Sequence, residues 1–167
     1  MKEEGGIMKL TIAICTYNRA ELLKHALAAL TRQTVSSDVF ELLVIDNNSP
    51  DQTQACAQSF AENFTHFRVI LETNQGLSYA RNRAMHEAST DWILYLDDDA
   101  KAKEDLVEKT LDVIQKSDYQ IFGGVFYPWY LYGKPHWYKD TYASNVLHYR
   151  QLTSCLIICY VTGGVFV

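Results

Sequence analysis

A chain of 167 residues, of which 48% are hydrophobic and 21% charged, has the length and composition of a globular protein with a sizeable core. This composition excludes a disordered or fibrous protein. The formal net charge of −5 has no basic block to offset it, which argues against a nucleic-acid-binding protein. The four cysteines are sparsely spaced in a chain without a secretory signal, so we expect reduced thiols and a cytoplasmic location.

The two ends of the chain differ from its middle. Residues 1–8 are predicted to form a flexible tail, and no linker divides the rest, so we expect one domain. The apolar stretch Leu152–Val167 is shorter than the roughly 20 apolar residues that a membrane-spanning helix needs. We interpret this stretch as core, with contact to the inner face of a membrane as the alternative.

Short apolar runs that are typical of buried parallel strands alternate with segments of helical periodicity. The predicted strands are Leu10–Thr16, Phe40–Ile45, His66–Glu72, Trp92–Leu96 and Ile121–Phe126. The predicted helices are Ala20–Thr31, Asp51–Asn63, Leu77–Ala88 and Lys103–Lys116. This alternation predicts an α/β fold, with a mostly parallel sheet and helices on both of its faces.

Polar clusters follow four of the predicted strands, where each strand ends. They are Thr16–Arg19, Asp46–Ser49, Thr73–Gly76 and Asp97–Asp99. In parallel α/β sheets, ligands bind beyond the carboxyl ends of the strands. We therefore expect the four clusters to form one composite site.

Three consecutive carboxylates end the fourth strand. In an extended chain, residues two apart point the same way, so Asp97 and Asp99 are placed to share one ligand. Carboxylate oxygens suit Mg²⁺ or Mn²⁺, which usually bind through one or two carboxylates and substrate phosphates. The alternative is a solvated turn in which Asp99 caps the following helix.

The other clusters carry groups suited to a nucleotide. The carboxylate of Asp46 suits a base imide or a ribose hydroxyl, although it could equally close a turn. Tyr17 offers a ring for a base, and Thr16 offers a hydroxyl. The guanidinium of Arg81 suits either a diphosphate or the acidic run. Gly76 permits close approach of the backbone to a ligand.

With these residues, the sequence resembles family-2 glycosyltransferases of the GT-A fold. The resemblance covers about residues 9–125 and rests on several motifs in the family's order and spacing. They are Ile12–Arg19 (IAICTYNR), Leu30–Thr34 (LTRQT), Val44–Ser49 (VIDNNS), Asn74–Asn82 (NQGLSYARN) and Leu96–Asp99 (LDDD).

The resemblance implies a Rossmann-like nucleotide-sugar-binding region at residues 9–126. It also implies transfer of a sugar, with inversion, from a nucleoside-diphosphate sugar to an acceptor hydroxyl. The candidate substrate-binding residues are Thr16, Tyr17, Asn18, Arg19, Asp46, Asn48, Asn74, Gly76, Arg81 and Asp98. The candidate ligands for Mn²⁺ or Mg²⁺ are Asp97 and Asp99, as an Asp-x-Asp pair.

The resemblance also concerns the end of the chain. Gly163–Val167 is similar to the stretch that shortly precedes the family's acidic catalytic base, so we expect that base beyond Val167 and assign no catalytic residue. Residues 127–167 would begin the acceptor side of a fold that is incomplete at its C-terminus. The aromatic stretch Tyr127–Tyr138 would contact sugar faces or form a hydrophobic flap.

The expected partners are a nucleoside-diphosphate sugar, with uridine or thymidine favoured, and a saccharide or lipid-linked acceptor. A homo-oligomer is a further expectation. Two other functions are compatible with the sequence. One is a sugar-phosphate nucleotidyltransferase, although Thr16–Arg19 lacks the glycine-rich loop of those enzymes. The other is a module that binds nucleotide without turnover.

Overall fold

The computed structural model describes residues 8–124, 129–130 and 132–139. The elements in chain order are β1 (Leu10–Thr16), α1 (Ala20–Leu30), β2 (Phe40–Asp46), α2 (Thr53–Gln58), a 3₁₀ turn (Ala61–Asn63), β3 (Phe67–Leu71), α3 (Leu77–Glu87), β4 (Trp92–Tyr95) and α4 (Leu106–Lys116). The strands form one sheet in the order β3-β2-β1-β4. All of its pairings are parallel, as the sequence predicts.

The two faces of the sheet are covered by different helices. On one face, alternate residues of β1 such as Ile12 and Ile14 pack with buried residues of α1, α2 and α4. On the other face, Ala13 packs with Ala80 and Ala84 of α3. Because β1 and β2 are buried on both faces, their sequences are almost continuously apolar. The prediction of helices on both faces is confirmed.

Three predicted elements differ from the observed ones by more than one residue at an end. The helix predicted at Asp51–Asn63 is divided, since α2 ends at Gln58 and the hydroxyl of Ser59 donates 2.7 Å to the carbonyl of Cys56. The helix α4 begins at Leu106, later than predicted. Residues 121–124 of the predicted fifth strand are irregular, as expected for a segment that contains two adjacent glycines.

Several predictions lie outside the described residues. They concern the N-terminal tail up to residue 7, residues 125–128 and 131, and the segment 140–167. Within the described ranges, none of the helices combines the length and the apolar character needed to span a bilayer.

A buried ionic network at the amino ends of the strands holds the end of α3. Glu41 on β2 is 3% exposed, and its Oε1 lies 2.7 Å from Nη2 of Arg68 on β3. The hydroxyl of Thr11 and the amide of Ser89 also donate to Glu41, at 2.8 and 3.0 Å. Arg68 in turn pairs with Glu87 on α3 at 3.2 Å. The network therefore fixes the carboxyl end of α3 against the sheet.

Glu41 is expected to make stability depend on pH. Burial raises the pKa of Glu41, but hydrogen bonds from Ser89, Thr11 and Arg68 outweigh burial and hold that pKa below its ordinary value. The stabilisation is therefore present at neutral pH and is lost as the pH falls through the folded-state pKa.

We predict that Glu41→Gln lowers the free energy of unfolding by roughly 2 kcal/mol at pH 7, because the buried side chain at this position would present an NH₂ group in place of one of the oxygens that accept from Thr11, Ser89 and Arg68. Urea denaturation between pH 7 and pH 3 should show this deficit shrinking as the pH falls. Glu62→Gln, at an exposed position, is the matched control and should have little effect. A deficit that is constant over this pH range would contradict the prediction.

Candidate functional site

A cleft of about 610 Å³ lies at the carboxyl ends of β1, β2 and β4, beside the start of α3. Its size is in the range of small-molecule binding sites. The predicted site residues that line it are Thr16, Tyr17, Arg19, Gly76, Arg81, Asp97, Asp98 and Asp99. The structure therefore brings all four strand-end clusters together in full or in part, with Asn47 from the second cluster and Gly76 from the third. Asn18, Asp46, Asn48 and Asn74 lie in the surrounding segments instead of the cleft lining.

Two arginines balance the acidic run. Nη1 of Arg19 lies 3.0 Å from Oδ1 of Asp98 and 3.4 Å from Oδ2 of Asp99. Nη2 of Arg81 lies 3.7 Å from Oδ1 of Asp97. The side chain of Asp98 is 7% exposed, against 29% for Asp97 and 20% for Asp99. Asp98 is thus an internal ion-pair partner, whereas Asp97 and Asp99 remain open to the cleft.

The electrostatics of the cleft follow from burial and from this charge clustering. Burial, together with the neighbouring charge of Asp99, raises the pKa of Asp97, while Arg81 opposes the change. The carboxylate of Asp98 is the main cause of the raised pKa of Arg19. Burial raises the pKa of the Cys15 thiol to about 12, so this cleft-lining sulfur is not a thiolate nucleophile at neutral pH.

The carboxylates suit a cation site that substrate phosphates and water complete, and not a site enclosed by protein ligands alone. Among the described residues, no three His, Cys, Asp or Glu side chains converge on one point. Mg²⁺ and Mn²⁺ do not require such a cage, because substrate phosphates and water complete their coordination. Asp97 and Asp99 supply two hard oxygen donors at the cleft surface, so the donor set fits either ion.

At the ends of β1 and β2, Thr16 and Asp46 are neighbours in the sheet register. Oδ1 of Asp46 accepts a 3.0 Å hydrogen bond from the amide of Ser49, which is the turn closure given as the alternative role for this carboxylate. In the described part of the chain, no partner reaches the buried hydroxyl of Thr16. An unpaired buried polar atom is uncommon, and here it lines the cleft.

The predicted asparagines shape the loops. Asn18 and Asn48 adopt positive φ angles of 54° and 64°, which asparagine tolerates better than most residues. The amide of Asn18 donates to the hydroxyl of Ser49 at 2.9 Å, and this contact joins the two loops. The amide of Asn74 donates to Oε1 of Glu72 at 2.7 Å. These contacts indicate a structural role for the three asparagines.

Asn47 is not among the site residues predicted from the sequence. Its side chain is buried, and its Nδ2 donates to the carbonyls of Glu72 at 3.1 Å and Asn74 at 2.7 Å. Its Oδ1 accepts a 2.7 Å hydrogen bond from the amide of Gly76, which precedes α3. Gly76 has a φ of 139°, a conformation that requires glycine. Asn47 therefore holds the segment from which α3 begins.

Tyr95 was also missed. Its hydroxyl donates to the main-chain carbonyl of Arg81 at 2.9 Å, and its ring centroid lies 6.0 Å from Cζ of Arg81. The ring therefore supports the arginine from β4. The sequence gives one hint of this role, which is that a tyrosine stands two positions before Asp97.

The family model described as glycosyl transferase family 2 matches residues 11–164. The chain is 32% identical over 120 residues to the uncharacterised glycosyltransferase YfnE of Bacillus subtilis, and 30% identical over 116 residues to the glycosyltransferase AglE of Haloferax volcanii. The matched regions cover 72% and 69% of this chain but only 30% and 38% of those relatives. The chain belongs to glycosyl transferase family 2.

Solved structures show the same fold. The crystal structure of residues 1–349 of Staphylococcus aureus TarS matches with a TM-score of 0.67 at 21% identity, over 77% of this chain and 38% of that one. The mannosyltransferase PcManGT of Pyrobaculum calidifontis, in complex with GDP-Man and Mn²⁺, matches with a TM-score of 0.58 at 22% identity, over 72% of this chain and 35% of that one. The Rossmann-like GT-A fold expected from the sequence is confirmed.

We predict that Asn47→Ala lowers the free energy of unfolding by about 1–3 kcal/mol, because buried main-chain groups of Glu72, Asn74 and Gly76 lose their partners. Urea denaturation measures the loss, and hydrogen exchange should show reduced protection of the Gly76 amide. The control Asn74→Ala keeps the main-chain groups that contact Asn47. Equal behaviour of the two variants would show that the Asn47 side chain does not anchor the loop.

Proposed function

We propose that this chain forms the donor-binding part of a glycosyltransferase that transfers a sugar, with inversion, from a nucleoside-diphosphate sugar to an acceptor hydroxyl. The observation that carries the proposal is the convergence of Asp97, Asp99, Arg81 and Thr16 on one cleft in a chain of this family. The cleft combines oxygen donors for a cation with guanidinium groups for phosphates, which a nucleoside-diphosphate donor requires.

The ligands of related structures support a nucleotide sugar. TarS has been solved with UDP and with UDP-GlcNAc, and PcManGT with GDP-Man and Mn²⁺. Glucosyl-3-phosphoglycerate synthase of Mycobacterium tuberculosis, at a TM-score of 0.54, contains UDP and Mn²⁺. These donors carry different bases. For this chain we favour a uridine or thymidine nucleotide, since the carboxylate of Asp46 suits the imide N–H that those bases present.

The two ends of the cleft would bind the two ends of the nucleoside diphosphate. At the β1–β2 end, Asp46 and Thr16 would bind the nucleoside through the carboxylate and the unpaired hydroxyl. Asp46 lies behind the cleft lining and is 2% exposed, and among the described residues no donor reaches its second carboxylate oxygen, which would be the one that accepts from the nucleoside. Tyr17 is 46% exposed at the cleft wall and would pack on the base. Arg81 would bind the phosphates.

Asp97 and Asp99 would hold Mn²⁺ or Mg²⁺ at the other end of the cleft. When bound, the cation supplies Lewis-acid stabilisation of the charge that develops on the departing diphosphate. It also reduces the repulsion between an anionic donor and the three carboxylates of this loop. Asp98 would remain the partner of Arg19 and keep the loop in place.

The acceptor side and the location are proposed from the sequence. The acceptor is a saccharide or a lipid-linked glycan in polysaccharide or glycoconjugate synthesis. The enzyme would act in the cytoplasm. The aromatic stretch Tyr127–Tyr138 would contact the acceptor sugar, and any contact with the inner face of the membrane would be made by Leu152–Val167.

The test of the donor is calorimetry with UDP, dTDP, GDP and CDP and with the corresponding triphosphates, each with Mn²⁺ and with a chelator. We expect UDP or dTDP to bind in the presence of Mn²⁺. Tight binding of a nucleoside triphosphate in preference to every diphosphate would favour a nucleotidyltransferase instead. Assays of sugar release from the preferred donor then separate a transferase from a module that only binds.

We predict that replacing both Asp97 and Asp99 with Ala abolishes the Mn²⁺-dependent part of nucleotide binding, because the cation loses both carboxylate ligands. Calorimetry with and without Mn²⁺ measures that part directly. The control is the double replacement of Asp112 and Asp118, which lie outside the cleft, and it should leave binding unchanged. Equal wild-type affinity in chelator and in Mn²⁺ would refute the proposed cation site.

We predict that Asp46→Asn lowers nucleotide affinity about ten- to a hundred-fold, because a hydrogen bond to a charged group contributes roughly 1.5–3 kcal/mol. Asparagine keeps an oxygen that can accept from Ser49, so the turn and the melting temperature should be preserved. Asp91→Asn, at the opposite edge of the sheet, is the matched control. Unchanged affinity in Asp46→Asn would mean that Asp46 serves only to close the turn.

A further inference from the structure

Trp129 lies against the acidic loop from the segment that follows α4. Its indole Nε1 donates a 2.7 Å hydrogen bond to the main-chain carbonyl of Asp99. Its ring is half-buried and meets the ring of His25 on α1 edge to face, at a centroid separation of 5.8 Å. The ammonium of Lys101 lies 3.7 Å from the indole centroid. Trp129 is therefore held by α1 and by the loop that it contacts.

The hydrogen bond from Trp129 acts on a short turn. The amide of Ala100 donates to the carbonyl of Asp97 at 3.0 Å, which closes the turn on one side. The carbonyl of Asp99, one residue before Ala100, accepts the hydrogen bond from the indole. Because the peptide plane between Asp99 and Ala100 is fixed, the Cα–Cβ bond of Asp99 has fewer possible directions. The carboxylate of Asp99 is restricted as a result.

The carboxylate of Asp99 has a further restraint. Its Oδ2 lies 3.4 Å from Nη1 of Arg19, so the side chain is held by the residue that precedes α1 while the main chain is held by Trp129. Cation affinity is sensitive to such restraints, because partners outside the coordination sphere orient the ligands. A loop with one free carbonyl would sample more orientations of this carboxylate.

We propose that Trp129 is a positioning residue for the cation site, acting through the main chain of Asp99. The inference rests on the proposed function, in which Asp97 and Asp99 hold the divalent cation. It adds that residues from the segment after α4 set the geometry of those ligands. The stretch around Trp129 thereby contributes to donor binding as well as to the acceptor side.

The test compares Trp129→Phe with Trp137→Phe in the full chain. Phenylalanine keeps an aromatic ring for His25 and Lys101 but removes the indole N–H. Trp137 is 65% exposed and packs on Tyr138, and among the described residues it has no contact with the acidic loop, so the same substitution there is the matched control. Mn²⁺ affinity is measured at saturating UDP by electron paramagnetic resonance, and UDP affinity in chelator by calorimetry.

We expect Trp129→Phe to weaken Mn²⁺ binding about three- to ten-fold, the usual effect of one lost hydrogen bond, with UDP affinity in chelator unchanged. Trp137→Phe should leave both quantities unchanged. If Trp129→Phe does not fold, as judged by its melting temperature, Trp129→Tyr removes the same N–H and should show the same selective loss.

Other results would overturn the inference. An equal loss of UDP affinity in chelator and in Mn²⁺ would show that Trp129 supports the fold and not the cation site. Unchanged Mn²⁺ affinity in Trp129→Phe would show that the hydrogen bond from Trp129 to Asp99 does not affect cation binding. A wild-type protein whose UDP binding ignores Mn²⁺ would refute the proposed cation site itself, and the inference with it.

Discussion

The pairing of Arg19 with Asp98 is the contact on which the candidate site depends. Asp98 is almost completely buried, and a buried carboxylate without a counter-charge would be strongly destabilising. Arg19 immediately precedes α1, so the pair joins the loop after β1 to the loop after β4, 79 positions further along the chain. All three carboxylates of the run line the cleft, but Asp98 is the most buried of them, and Asp97 and Asp99 on either side of it are more exposed.

The helix α3 is restrained at both ends by buried polar groups, and this determines where Arg81 lies. Asn47 holds the segment that precedes the helix, and the network of Glu41 and Arg68 holds the residues at its end. Only small residues, Ala80 and Ala84, separate the helix from the sheet, so it packs closely. The main chain at Arg81 is therefore fixed, and the hydrogen bond from Tyr95 to its carbonyl restrains it further.

The sequence predicts the sheet well because β1 and β2 are buried on both faces. Short, continuous apolar runs such as theirs are typical of buried parallel strands. The ends of those runs also predict where Thr16, Arg19 and Asp97 meet. The sequence does not reveal Asn47 or Tyr95, because their roles depend on partners that are distant in the chain. The strand predicted at Ile121–Phe126 is wrong at residues 121–124, where local apolar character does not overcome Gly123 and Gly124. The roles assigned to individual site residues remain predictions.

The unpaired hydroxyl of Thr16 has a consequence for the protein without ligand. A buried donor that has no partner among the residues the structure describes makes the cleft a locally frustrated part of an otherwise well-packed sheet. A ligand that pairs with it removes this frustration in the folded state alone, and so shifts the folding equilibrium towards that state. Under the proposed function, a bound nucleotide would complete the end of the sheet, much as a core side chain does, and the free energy of unfolding would rise with nucleotide concentration.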